Sequence, residues 1–156
     1  MYGAGIIIKK IGEGKMKRIY LASPFFNDTE IENLSKAEKL LRDKGFYVFS
    51  PREHEVREGN VGDPAWSLAT FTNDIRGIDA CDYVVALYYG NYSDSGTSWE
   101  IGYAFASHKP VIVVHFGDSS NLMIHEGCHS NLMSLEELGE YDFEELERNR
   151  YSGKMF

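Results

Sequence analysis

The sequence predicts a single α/β domain built on a parallel β-sheet with helices on both faces, and three observations carry that prediction. Short apolar runs rich in β-branched and aromatic residues alternate with longer stretches of helical periodicity. Each apolar run ends in a turn signal, which is where a parallel strand hands over to its crossover helix. The 156 residues bury one sizeable core and leave no room for a second.

The elements follow in order. Residues 1–15 form a leader ahead of Met16, either an upstream start or a stretch added to the natural chain, and the domain runs over 16–156. The leader's apolar run, Ile6 to Ile8, is too brief for a signal h-region and is compatible with an added edge strand. A first buried strand covers Ile19 to Ala22 and stops at Ser23-Pro24. From Thr29 to Lys44, Ile31, Leu34, Ala37, Leu40 and Leu41 recur at helical spacing, and Gly45 closes the helix. Phe46 to Phe49 is a second strand, followed by a polar stretch to about Pro64 that suits a lid or substrate wall. Ala65 to Ile78 reads as helix, with Trp66, Thr70, Asn73, Asp74 and Gly77 close together at three- and four-residue steps. Tyr83 to Tyr88 is the clearest core strand, Thr97 to Ser107 a third helix, and Val111 to His115 a fourth strand. The acidic stretch from Leu135 to Arg150 is helix-prone, and an aromatic tail after it is expected to fray. This βαβαβαβ order implies a flavodoxin-like or Rossmann-like arrangement with right-handed crossovers. Ligands of such sheets sit beyond the carboxyl ends of the strands, here the loops after Ala22, Phe49, Tyr88 and His115.

Charge narrows the partners. With 16 Lys plus Arg against 24 Asp plus Glu, the net charge is -8, a field that repels nucleic-acid backbones and anionic membranes and leaves a neutral small ligand as the easier guest. No apolar stretch reaches the ~20 residues of a membrane span. Cys81 and Cys128 read as reduced thiols of a cytoplasmic protein rather than a disulfide.

Four polar side chains fall at or near the predicted strand ends: Tyr20, Asp74, Asp94 and Glu100, with Phe25, Phe26 and Trp66 close by. Carboxylates accept hydrogen bonds from sugar hydroxyls and base amino groups, and aromatic faces cover a purine or pyrimidine. Each also has a plainer explanation. Thr97-Ser98-Trp99-Glu100 has capping-box spacing, with Thr97 as N-cap and Glu100 three residues on. The same position, in the first turn of a helix, favours a carboxylate anion, which is the form a nucleophile takes. Asp94 suits a turn, Asp74 a solvated helix face, Tyr20 a strand core, and the aromatics packing. No HExxH, CxxC, GxGxxG, Walker A or GxSxG pattern occurs, so neither a metal nor a dinucleotide cofactor is expected.

In this order and spacing the pieces resemble the nucleoside 2-deoxyribosyltransferase family. The resemblance runs from about Lys17 to Phe156 and rests on Ile19-Tyr20-Leu21-Ala22-Ser23-Pro24-Phe25-Phe26, Asn73-Asp74-Ile75-Arg76-Gly77-Ile78, Asp94 six positions before Glu100 in Trp99-Glu100-Ile101-Gly102-Tyr103-Ala104, Asn121-Leu122-Met123, and the aromatic last residue. The resemblance implies a double displacement. The glutamate at position 100 attacks the anomeric carbon of a 2′-deoxyribonucleoside, holds a covalent 2-deoxyribosyl ester, and passes the sugar to a second purine or pyrimidine base, with no cofactor. It implies that Tyr20 orients Glu100 and that Asp74 and Asp94 contact the base, with Asp94 the proton donor. Phe25 and Trp66 wall the base pocket. It further implies that Asn121, Met123 and the terminal carboxylate of Phe156 serve the sugar's 5′ end across a homo-oligomer interface, a dimer-based hexamer in the family, with nucleoside salvage as the purpose. Asn131-Leu132-Met133 repeats the asparagine motif, so Asn131 is the alternative sugar ligand.

Two rivals stand beside this reading. A 2′-deoxynucleoside 5′-monophosphate N-glycosidase shares the fold and gives the sugar to water, but residues 22–27 lack the basic side chains a phosphate calls for. A non-catalytic nucleoside-binding module is allowed by the fold alone.

Overall fold

The computed structural model describes residues 14–156; the proposed edge strand at Ile6 to Ile8 lies outside them. Five strands form one fully parallel sheet: β1 (Arg18–Ala22), β2 (Tyr47–Phe49), β3 (Tyr83–Tyr88), β4 (Val111–His115) and β6 (Ser130–Leu132), in the order β2-β1-β3-β4-β6. A two-stranded parallel pair joins β5 (Ser119–Ser120) to β7 (Lys154–Met155). The helices are α1 (Asp28–Asp43), α2 (Pro64–Asp79), α3 (Ser95–Ala106), the one-turn α4 (Leu122–His125) and α5 (Leu135–Glu140).

Strand pleating divides the core in two. Ile19, Leu21, Val85, Leu87, Ile112 and Val114 face α1 and α5, meeting Leu34, Ala37, Leu41 and Leu138. The intervening residues Tyr20, Ala22, Val84, Ala86 and Val113 face the opposite side, meeting Ile78 of α2, Ile101 and Ala104 of α3 and Ile124 of α4. Right-handed crossovers explain the allocation. The chain first moves from β1 out to β2, then turns back across β1 to β3, so α1 lands on one face and α2, α3 and α4 on the other. The reversal between β1 and β3 opens a crevice at their carboxyl ends, the usual ligand position in such sheets.

Local chemistry sets the helix ends that frame this crevice. Asn27 caps α1 by accepting from the Glu30 N–H at 2.9 Å. Gly45, at φ 94°, supplies the left-handed turn out of it. Pro64 starts α2 at a position where its missing N–H costs nothing.

Four expectations need correction. A fifth sheet strand, β6, was absent from the sequence reading because Ser130-Asn131-Leu132 shows no apolar run; the polar side chains are buried and satisfied internally. Helix α3 begins at Ser95, two residues before Thr97, so the capping box at Thr97 and Glu100 does not form. The box belongs instead to the preceding 3-10 turn, Tyr92–Asp94, between Asn91 and Asp94. The acidic stretch after Leu135 is helical only to Glu140. Tyr141 and Phe143, both buried, alternate at a two-residue period that an extended chain satisfies and a helix does not. The tail does not fray: β7 pairs with β5, the Phe156 N–H donates to Ser120 O at 3.1 Å, and the Tyr151 ring packs 4.5 Å from His115 and 4.9 Å from His125.

Cys81 and Cys128 are both free thiols. Among the described residues no helix is long and apolar enough to cross a membrane.

Candidate active site

Residue 20 lies where β1 runs between β2 and β3, paired in register with Phe49 and Val84. Its pleat position turns the phenol toward α2 and α3, and the side chain is fully buried. Glu100, in the second turn of α3, and Asp74, in the third turn of α2, approach from above. Phe25, from the loop after β1, is half-exposed and completes the rim.

These residues meet around one cavity of about 240 Å³, lined by Ser23, Phe25, Trp66, Thr70, Asp74 and Glu100 together with the 50–63 segment. Trp66, Thr70 and Asp74 stand one helical turn apart on α2, so a single stripe presents an aromatic wall, a hydroxyl and a carboxyl. The 50–63 segment supplies His54, Glu55, Val56, Gly59 and Val61, the wall expected of it. A second cavity, about 290 Å³, is walled by Phe71, Ile75, Gly96 and Trp99 and shares Asp74 and Glu100 with the first. The two carboxyls therefore form the partition between a base-sized chamber and a more open, apolar one.

Electrostatics at the partition depart from the sequence expectation. Because α3 starts at Ser95, Glu100 lies beyond the first turn, where the helix dipole has largely faded. Burial dominates and pushes the Glu100 carboxyl up to about 7, with the facing Tyr20 hydroxyl drawing it back and Asp74 adding to the rise. Burial alone lifts Asp74 to about 6. The Tyr20 phenol is driven strongly upward by burial and by the negative charge of Glu100 and Asp74, so it stays protonated. Tyr20 and Glu100 face each other without closing a well-directed hydrogen bond: Tyr20 Oη and Glu100 Oε2 are covered and unpartnered. Such unmet polar atoms carry a desolvation cost that a bound partner relieves.

Asp94 lies apart from this group. It is buried, and its carboxylate accepts the Tyr89 N–H at 3.0 Å and the Asn91 N–H at 2.9 Å. It locks the turn that leads β3 into α3, and does not line either cavity beside Glu100. Burial raises its carboxyl while these main-chain donors pull it down.

Asn121, Met123 and Phe156 form a separate cluster beside β5. The Asn121 side chain accepts from the Met123 N–H at 2.9 Å, Met123 and Phe156 are exposed, and none of the three lines the cavity at Glu100 in the same chain. The alternative asparagine is occupied: Asn131 Oδ1 accepts from His115 Nε2 at 2.8 Å, and its amide nitrogen donates to the main-chain oxygens of His125 and Asn149. Sequence reading grouped Thr70 and Asn73 with Asp74 by helical spacing without assigning them a role, and overlooked His54 and Glu55, whose placement depends on a loop with no periodicity to read.

Comparisons with known proteins agree with this geometry. The model of a family described as nucleoside 2-deoxyribosyltransferase matches residues 19–133. The chain is similar to a nucleoside deoxyribosyltransferase of Limosilactobacillus fermentum, 31% identical over 70% of this chain and 75% of the relative. It is also similar to one of Lactobacillus leichmannii, 26% identical over 90% and 98%. A solved 2-deoxyribosyltransferase from Bacillus psychrosaccharolyticus superimposes with a TM-score of 0.80 at 39% identity, covering 86% of this chain and 98% of that one. A sheet with its crevice at the β1–β3 reversal, a tyrosine and two carboxyls at its mouth, and these matches together place the chain in the nucleoside 2-deoxyribosyltransferase family.

Proposed function

We propose that this enzyme exchanges the base of 2′-deoxyribonucleosides by double displacement through a covalent ester on Glu100. The observation that carries the reading is the partition: two carboxyls with raised proton affinity, sharing one chamber of base size and a second opening beside it. About 240 Å³ falls below the roughly 300–1,000 Å³ of drug-sized ligand sites and suits a base lying between Phe25 and Trp66, with the pentose at Glu100.

Glycosidic cleavage needs an anion at C1′ and a proton for the departing base at the same moment. Glu100 and Asp74 titrate as a pair around neutrality, so one proton is held between them. The reactive form has Glu100 ionised and Asp74 protonated, the less populated placement of that proton, since Glu100 at about 7 holds it more tightly than Asp74 at about 6. Asp74 thus takes the proton-donor role assigned to Asp94 from the resemblance, because Asp74 faces the cavity while the oxygens of Asp94 are committed to main-chain N–H groups. Glu100 attacks C1′, the C1′–N bond breaks, and the Asp74 proton goes to the leaving base. An incoming base reverses each step, returning a proton to Asp74 and freeing Glu100. Tyr20 directs its hydroxyl to Glu100, and its high proton affinity keeps it a donor throughout.

Asn121, Met123 and Phe156 are proposed to reach the sugar's 5′ end from a neighbouring copy. Separation from Glu100 within one chain and the exposed apolar side chains Leu68, Phe71, Trp99 and Phe105 on the α2–α3 face support a homo-oligomer. Incubation with 2′-deoxyinosine and adenine tests the reading: 2′-deoxyadenosine formation supports it, and release of deoxyribose alone identifies a hydrolase. The cavity lining contains no Lys or Arg to hold a 5′-phosphate.

A further inference from the structure

Three rings run in a continuous parallel stack from the catalytic tyrosine to the substrate chamber. Tyr20 lies 5.5 Å from Phe49 with planes 14° apart, and Phe49 lies 4.3 Å from His54 at 6°. The near ring is buried in the sheet, while the far ring lines the cavity beside Asp74 and Glu100. The stack is fixed at both ends. Asn73, the neighbour of Asp74 on α2, donates to the His54 carbonyl at 3.0 Å, and the turn Pro51–Glu53 before His54 is tied to α1 through Ser50 and Arg52, both donating to the buried Glu38 carboxylate. On the inner side α2 presses directly on the rings at Gly77. A Cβ there would stand 2.9 Å from Phe49 Cε1, closer than such atoms approach, and a tight 3.0 Å from Tyr20 Cδ2.

From this geometry we propose that His54 is a positioning residue: through Phe49 it holds the Tyr20 ring so that the phenol points at Glu100, coupling the wall of the base chamber to the nucleophile. This rests on the roles given above to Glu100 and Tyr20. Tyr20 is covalently free to rotate about its side-chain bonds, and its hydroxyl faces Glu100 without a well-directed hydrogen bond to fix it. Ring packing is what remains to define its aim. Parallel-stacked rings resist tilting because each is held at van der Waals distance on its faces. His54 contributes its flat face to this, 4.3 Å from the Phe49 ring.

The consequence is measurable because Tyr20 lowers the proton affinity that burial gives Glu100. A displaced phenol withdraws the interaction that lowers the Glu100 carboxyl, leaving burial and Asp74 to raise it further. The groups facing Glu100 are Tyr20 from β1, Asp74 from α2, and His54 and Glu55 from the 50–63 segment, with Cys81 behind Tyr20. Removing His54 also removes a titratable ring from this set, so the test needs a variant that loses the charge and keeps the stack.

The experiment compares base release from 2′-deoxyinosine across pH for the full chain, His54→Ala and His54→Phe. His54→Ala is expected to lower kcat about tenfold, as small misplacements of reacting groups do, and to move the centre of the pH profile to higher pH. His54→Phe is expected to keep the wild-type centre and to restore kcat to within about threefold. Gly77→Ala, which pushes on the same rings from the other side, is expected to move the centre in the same direction as His54→Ala. Equal shifts for His54→Ala and His54→Phe would assign the effect to imidazole charge and overturn the positioning role, and so would no shift in either. Absence of a sugar adduct on Glu100 in the wild-type enzyme would remove the reading on which the proposal rests, separately from any result on the stack.

Discussion

Asp74 and Glu100 face one another across the boundary of two cavities, and the proximity of Asp74 is one of the two causes that raise the Glu100 carboxyl to about 7. A glutamate placed there is a costly side chain for the fold and a useful one for the chemistry, and the predictions separate the two.

Glu100→Gln is expected to abolish base exchange, by at least about a thousandfold, because the amide cannot form the ester. The same variant is expected to stabilise the fold at high pH. A carboxyl whose folded pKa is about 7 against 4.5 unfolded binds its proton more tightly when folded, so the wild-type protein loses stability as pH rises from about 4.5 to 7. The gain for Glu100→Gln should be about 1–3 kcal/mol at pH 8 and vanish below pH 4.5, read by urea unfolding. A gain over the wild type that is the same at both pH values would contradict the buried-carboxyl account.

The pH dependence of kcat should be bell-shaped, with apparent values near 6 and 7 that belong to the Asp74–Glu100 pair. Asp74→Asn should remove the alkaline limb by removing the donor. The remaining acid limb should fall at lower pH than the Glu100 value of about 7, since the charge that raised Glu100 is gone. Retention of an alkaline limb in that variant would return the donor role to another group, Asp94 first.

Arg52→Ala should destabilise the protein by about 2 kcal/mol, because the buried Glu38 carboxylate keeps only the Ser50 hydroxyl at 2.6 Å from its present partners. The 50–63 wall should loosen with it, so KM should rise more than kcat falls. Unchanged KM would show that the wall is held by its own packing.

Tyr151→Ala should detach β7 from β5 by removing the ring between His115 and His125, at a cost of about 1–2 kcal/mol. Limited proteolysis should then cut the tail before the domain unfolds. Tyr151→Phe keeps the ring, losing only the hydroxyl's bond to the Lys154 carbonyl at 3.1 Å, and should resist more nearly as the wild type does.

The sequence disclosed the sheet and crossovers because their signals are periodic: Tyr83 to Tyr88 and Val111 to His115 are continuous apolar strands, and α1 shows its stripe at every turn. Where burial is achieved by polar groups bonded to each other, as at Ser130 and Asn131 in β6, hydropathy has nothing to report. The start of α3 was misplaced because Thr97 and Glu100 satisfy the capping spacing as well as Asn91 and Asp94 do, and only the turn bonds of Asp94 decide between them. That two-residue difference also takes Glu100 out of the first turn, while burial, which sequence spacing does not report, raises its carboxyl. Residues joined by helical spacing, Trp66, Thr70 and Asp74, were legible together, whereas His54 reaches the cavity through loop geometry and ring stacking that sequence spacing does not encode.

The central claim is an ester between Glu100 and C1′ of the pentose. Mixing the enzyme with a 2′-deoxyribonucleoside in the absence of an acceptor base, quenching in acid and mapping peptides by mass spectrometry should place one deoxyribosyl group on the peptide containing Glu100, and none in Glu100→Gln. An enzyme that exchanges bases at full rate with that peptide unmodified, or modified at another carboxyl, would contradict the account.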